Sequence, residues 1–136
     1  MQHEQTFDIS FGDCDPAGIV FYPNAFRWMD GTFHGLLRRF GGHAALCQSL
    51  GAVGLGLVDA SAKFLSPMRD GDRLILRASL SEWSRRSFTV DYEGHCGGTR
   101  AFTGREVRCL FKPGERGITA GDLAPLRQRL EAQDGR

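Results

Sequence analysis

The chain has 136 residues, enough for one domain with a real apolar core and little beyond it. Lys and Arg number 17 against 16 Asp and Glu, a net charge of +1, and no basic cluster interleaves with aromatics, so no nucleic-acid partner is expected. Residues 1–5 are polar and lack the apolar heart of a signal peptide, no apolar run approaches the roughly 20 residues that cross a bilayer, and Cys14, Cys47, Cys96 and Cys109 contain no Cys-x-x-Cys pair, which together predict a cytoplasmic domain with reduced thiols and no membrane partner.

From Thr6 to Phe11 apolar and polar residues alternate, with Phe7, Ile9 and Phe11 on one face, which predicts a half-buried strand. A Gly- and Pro-marked turn follows. Phe26, Met29, Phe33, Leu36, Leu37 and Phe40 then recur at intervals of three and four, predicting one long amphipathic helix over 25–40. Pro23 suits its first turn and Gly41-Gly42 stops it. Gly31 and Gly35 each cost such a helix roughly 1 kcal/mol, which close approach to a sheet would offset. His43 to Leu50 adds one or two helical turns ended by Gly51. Strands are expected over 54–65, over 73–83 (Leu74, Leu76, Ala78 and Leu80 inward), over 88–96 and over 101–112, the last with Val107, Cys109 and Phe111 in phase. Gly97-Gly98 makes the hairpin between the last two. Thr119 and Asp122 have the spacing of a capping box, and Leu123, Leu126 and Leu130 form an apolar face, predicting a helical tail over about 119–133. The expected architecture is a single α+β domain over 1–136, one long helix against a five-stranded antiparallel sheet.

The chemistry concentrates before the long helix. Asp13 and Asp15 sit in the turn, Pro16 biases Asp15 toward extended backbone, and Gly18 permits a tight reversal. A carbonyl placed at the helix start would meet unpaired N–H groups and the positive end of the helix dipole, which favour an oxyanion. A carboxylate on its other side could attack or activate water. The same pattern also fits two aspartates that only cap the turn and the helix.

Gly12-Asp13-Cys14-Asp15-Pro16-Ala17-Gly18-Ile19-Val20-Phe21-Tyr22-Pro23-Asn24 closely resembles the signature of the 4-hydroxybenzoyl-CoA thioesterase family of hotdog-fold enzymes. Glu82-Trp83-Ser84-Arg85-Arg86-Ser87-Phe88 resembles that family's basic coenzyme A segment, with Ser84 where relatives carry a further basic residue. The resemblance spans about residues 6–112. It implies a hotdog fold, dimers pairing into a homotetramer, and active sites between subunits. It implies that Asp15 is the catalytic carboxylate, as a nucleophile forming an acyl anhydride or as a general base, and that the Tyr22 N–H polarises the thioester carbonyl. Asp13 is then a structural acceptor. Arg85 and Arg86 would bind the nucleotide phosphates, since guanidinium groups grip phosphate bidentately, while Asp30 and Trp28 would contact substrate. Phe21 and Phe64 would shape the acyl pocket. Coenzyme A enters as part of an acyl-CoA substrate, and no separate cofactor is implied.

Asp30 and His34 lie four apart on the helix and can touch. His3, His43 and His95 have no partner spacing and read as surface residues. No His/Cys/Asp set has zinc spacing, so no metal is expected. Cys14 is a poor nucleophile because two flanking carboxylates disfavour its thiolate. Two other functions share these features: a hotdog hydratase or dehydratase, whose helix-entry motif pairs Asp with His where this one has no His, and a non-catalytic acyl-CoA binder.

Overall fold

The computed structural model describes residues 1–134. In chain order it contains β1 (Gln2–Asp8), a 3₁₀ turn (Phe11–Asp13), α1 (Pro23–Arg38), α2 (His43–Leu50), β2 (Gly54–Phe64), β3 (Arg73–Ser81), β4 (Phe88–Cys96), β5 (Thr99–Gly114), β6 (Gly117–Ala120) and α3 (Ala124–Asp134). The strands form one antiparallel sheet in the order β1-β3-β4-β5-β2, with β6 paired to the far end of β5. The hotdog arrangement therefore holds, but with six strands rather than five. All four cysteines are free. Among the described residues no helix is long and apolar enough to cross a membrane.

The long helix follows its stripe. Met29, Phe33, Leu36 and Leu37 are fully buried and Phe40 nearly so, and each such side chain contributes roughly 1.5–3 kcal/mol of burial free energy. Pro23 occupies the first turn. At Gly35 a Cβ would press on the side-chain tips of Gln5 and His3, which reach over the helix from β1. At Gly31 it would only touch the Phe7 ring at 3.7 Å. Both glycines face β1, but the atoms nearest to each belong to movable side chains rather than to the sheet backbone.

Three expectations need correcting. The first strand starts at Gln2 and ends at Asp8. Phe11 is not its last inward residue but sits 82% exposed on the 3₁₀ turn. The polar residues 2–5 are held by pairing with β3, which alternation alone does not reveal. Second, Thr119 pairs with Lys112 in β6 and caps nothing. Asp122 alone caps the tail helix, its Oδ1 accepting the Ala124 N–H at 2.8 Å, while Leu123, Leu126 and Leu130 are buried as expected.

Third, β5 buries chiefly its other face. Phe102, Glu106, Arg108 and Leu110 point inward, and of the expected set only Cys109 is buried, whereas Val107 and Phe111 are half-buried. Two charges face inward because they satisfy each other. Arg108 Nε donates to Glu106 Oε1 at 3.0 Å, Nη1 donates to the Leu55 carbonyl at 3.1 Å, and Nη2 donates to Asp30 Oδ1 at 2.9 Å. Tyr92 Oη donates to Glu106 Oε1 at 2.5 Å, and the guanidinium lies 4.1 Å from the Phe33 ring centroid. Burial pushes the Glu106 carboxyl above its usual range, with Arg108 and Tyr92 offsetting part of the shift. The Tyr92 hydroxyl is pushed up strongly by burial and by the neighbouring carboxylate.

Candidate active site

The turn before α1 is built by its own sequence. Gly18 N–H donates to the Asp15 carbonyl at 2.9 Å and Asp15 N–H donates to the Ile19 carbonyl at 2.9 Å. Pro16 presets the reversal, and Gly18 closes it at φ +80°, a conformation glycine adopts without steric cost. A bridge between Cys14 and Val20 and a bond from Val20 N–H to the Met68 carbonyl at 2.8 Å fix the turn against the loop after β2.

The two aspartates part company here. Asp13 Oδ2 accepts the Ser10 N–H at 2.9 Å and the Ser10 hydroxyl at 3.1 Å, while its carbonyl accepts from Phe21 N–H and from Asn24 Nδ2. Asp13 ties the turn to the helix start. Asp15 Oδ1 accepts the Ala17 N–H at 2.9 Å, and among the described residues its Oδ2 has no hydrogen-bond partner.

Asp15 and Tyr22 line one cavity of about 600 Å³ together with Ile19, Phe64, Leu65 and Met68. Its wall is mostly apolar, as a site for an acyl or aryl group requires. At the start of α1, Phe21 N–H donates to Asp13, and Asn24 and Ala25 N–H donate back into the turn. Among the described residues the Tyr22 N–H has no acceptor. A helix N-terminus thus leaves one N–H unsatisfied beside the cavity that holds Asp15, with the positive end of the helix dipole behind it.

The other expected contacts lie elsewhere in the chain. Trp28 is buried against Phe7, ring centroids 5.9 Å apart, and does not line this cavity; Phe64 does, while Phe21 stays half-exposed. Asp30 is occupied by Arg108 and lies 3.6 Å from His34 Nε2. Arg85 and Arg86 are exposed at the centre of a tight turn that Ser84 closes, its Oγ accepting the Ser87 N–H at 3.1 Å while its own N–H donates to the Ser87 carbonyl at 2.8 Å. Ser84 thus shapes the turn. Glu82 enters this segment at φ +49°, a left-handed conformation uncommon outside glycine and of the kind found where structure serves a site.

Two residues were missed by sequence reasoning. Arg108 and Glu106 form the only buried ion pair among the described residues, and the signal was their i, i+2 spacing on the face shared with Phe102 and Leu110. His43 is not a bare surface residue either, since its Nε2 accepts the Leu55 N–H at 3.0 Å and ties α2 to β2.

A family model described as the thioesterase superfamily matches residues 17–103. The chain is 37% identical over 109 residues to the 4-hydroxybenzoyl-CoA thioesterase of Pseudomonas sp. (strain CBS-3), covering 79% of this chain and 74% of that protein. It is 29% identical over 94 residues to the 1,4-dihydroxy-2-naphthoyl-CoA hydrolase of Synechococcus sp. (strain WH7803), 64% of this chain and 61% of that one. Its fold superposes with a TM-score of 0.84, at 26% identity and over 95% of this chain and 97% of the other, on a crystal structure of a 4-hydroxybenzoyl-CoA thioesterase mutant complexed with 4-hydroxybenzoyl-CoA. With the hotdog sheet, the acidic turn and these matches in hand, the chain belongs to the thioesterase superfamily and is a thioester hydrolase.

Proposed function

We propose that the chain hydrolyses an aromatic or short acyl-CoA thioester, of the 4-hydroxybenzoyl-CoA type, to the free acid and coenzyme A. The observation that carries this reading is the single cavity shared by Asp15 and Tyr22, with one Asp15 oxygen anchored by Ala17 and the other open. A thioester carbonyl seated at the start of α1 accepts from the Tyr22 N–H, which stabilises the oxyanion as it forms. Asp15 Oδ2 attacks the carbonyl carbon, the C–S bond breaks, and the thiolate leaves to take a proton from water. Water then cleaves the resulting aspartyl anhydride and returns the carboxylate. As a general base, Asp15 would instead take a proton from the attacking water.

The relatives named above act on hydroxylated aryl-CoA thioesters by name, which supports the aryl class of acyl group. Asp30, Arg85 and Arg86 lie outside the Asp15 cavity of one chain, and this supports a site completed by a second copy. The outer edge of β2 is free in the sheet order, and the strand with the loop that follows it exposes Leu57, Val58, Phe64 and Leu65, a surface suited to burial in a dimer. Dimers of this kind would pair into the homotetramer. Four free thiols and a coenzyme A substrate fit a cytoplasmic setting.

The test is free-thiol release from a panel of acyl-CoAs by wild type and by Asp15→Asn. Wild type is expected to favour a benzoyl-type substrate, and Asp15→Asn to lose roughly a hundredfold or more in kcat. Binding of acyl-CoA by wild type without release of thiol would leave a non-catalytic binder.

A further inference from the structure

The segment between β6 and α3 reaches back to the arginine turn. Leu123 N–H donates to the Arg85 carbonyl at 2.9 Å, and Asp122 Oδ2 lies 3.5 Å from Arg85 Nε. The mount is firm: Leu123, Leu126 and Leu130 are buried, and Arg127 of α3 covers Trp83, its guanidinium carbon 5.5 Å from the ring centroid. Among the described residues no hydrogen bond engages the Nη groups of Arg85. Asp122 is itself fixed by the Ala124 N–H, whose bond holds its carboxyl below the usual range.

We infer that Asp122 is a positioning residue for Arg85, holding the guanidinium by its Nε edge so that both Nη groups remain free for a nucleotide phosphate. The inference rests on the acyl-CoA reading above. An exposed arginine loses rotamer freedom when it grips a phosphate, and a neighbour that already restricts it lowers that loss. Asp122 also brings a like charge toward the phosphate. That repulsion acts through solvent and is screened by salt, with a Debye length of about 8 Å at physiological ionic strength, whereas Asp122 and Arg85 are in direct contact at 3.5 Å. Positioning outweighs competition.

The experiment compares wild type, Asp122→Asn, Arg85→Ala and the double variant. Asn keeps the oxygen that caps α3, so the fold is retained while the charge is lost. Calorimetric titration with coenzyme A is expected to show about three- to fivefold weaker binding for Asp122→Asn, and no further loss when that change is added to Arg85→Ala. The KM for benzoyl-CoA should rise by the same factor with kcat unmoved, while the KM for S-benzoyl-N-acetylcysteamine, which lacks the nucleotide, stays put. Unchanged or tighter coenzyme A binding by Asp122→Asn, or an effect that persists without Arg85, would overturn the inference, as would failure of wild type to bind coenzyme A. If wild type binds coenzyme A but hydrolyses neither thioester, the hydrolytic reading fails while the titration still decides the role of Asp122.

Discussion

Glu106 and Asp15 are two carboxylates of one small fold under opposite constraints. Glu106 is 1% exposed, and its Oε1 accepts from Tyr92 and from Arg108, which in turn bonds Leu55 and Asp30. Among the described residues no buried side-chain nitrogen or oxygen lacks a partner. Asp15 is half-exposed on a turn, with one oxygen bonded to the next-but-one N–H and the other open to an apolar cavity. A charge inside a core must be matched atom by atom, because an unpaired one costs more than the pair returns. A carboxylate left partly unmatched beside a cavity is the kind of group that the proposed hydrolysis needs.

Breaking the inner network should have the largest effect. Arg108→Ala leaves the buried Glu106 carboxylate with Tyr92 but no cation and should destabilise by about 3–5 kcal/mol, measured by urea unfolding. The combined change Arg108→Met with Glu106→Gln should cost less than Arg108→Ala alone, since it removes both charges together. A double variant worse than the single one would mean that the network stabilises by more than mutual satisfaction.

Asp15→Asn should shift stability by no more than about 0.5 kcal/mol, because the Asn oxygen still accepts the Ala17 N–H. A loss in thermal stability rivalling that of Arg108→Ala would make Asp15 a structural cap and erase the contrast.

The smallest effect concerns pH. Burial holds the His34 imidazole below its usual range, against partial opposition from Asp30 and with His43, Arg108 and Arg38 pushing the same way as burial. The unfolded chain titrates near 6.5, so between that value and the lowered folded one the unfolded state binds more protons. The stability contributed is therefore complete above about pH 6.5 and is lost as pH falls through that window. Denaturant midpoints at about pH 7.5 and 5.5 should converge in His34→Gln relative to wild type. Equal pH responses in the two proteins would mean His34 stays unperturbed.

Local rules reached far into this fold. The stripe Phe26 to Phe40 gave α1 to within two residues, Gly51 ended α2 in the left-handed conformation, and Gly97-Gly98 turned the β4–β5 hairpin with both glycines at positive φ. The acidic turn was legible because Pro16 and Gly18 act within four residues. Long-range satisfaction was not legible. Arg108 faces inward because Glu106, Asp30 and Leu55 accept from it and Tyr92 completes Glu106, so a period-2 reading of apolar residues chose the face of Val107, Cys109 and Phe111, of which only Cys109 is buried. Residues 2–5 become strand through pairing with β3, and Thr119 becomes strand through pairing with Lys112. A capping-box spacing cannot outvote a hairpin partner. Arg85 and Asp122 likewise meet only once β6 has turned the chain back.

The register of β2 also sets a timetable. Gly54 pairs with Phe111 and Phe64 with Phe102, so a ribosome must complete nearly the whole sheet before this apolar strand has a partner. Until then Leu55, Leu57 and Val58 belong to a nascent chain with α2 as a neighbour but no strand to pair with. Pairings of such wide separation fold slowly and leave sticky intermediates. The interval before β5 emerges is therefore the part of synthesis in which aggregation competes most strongly with folding.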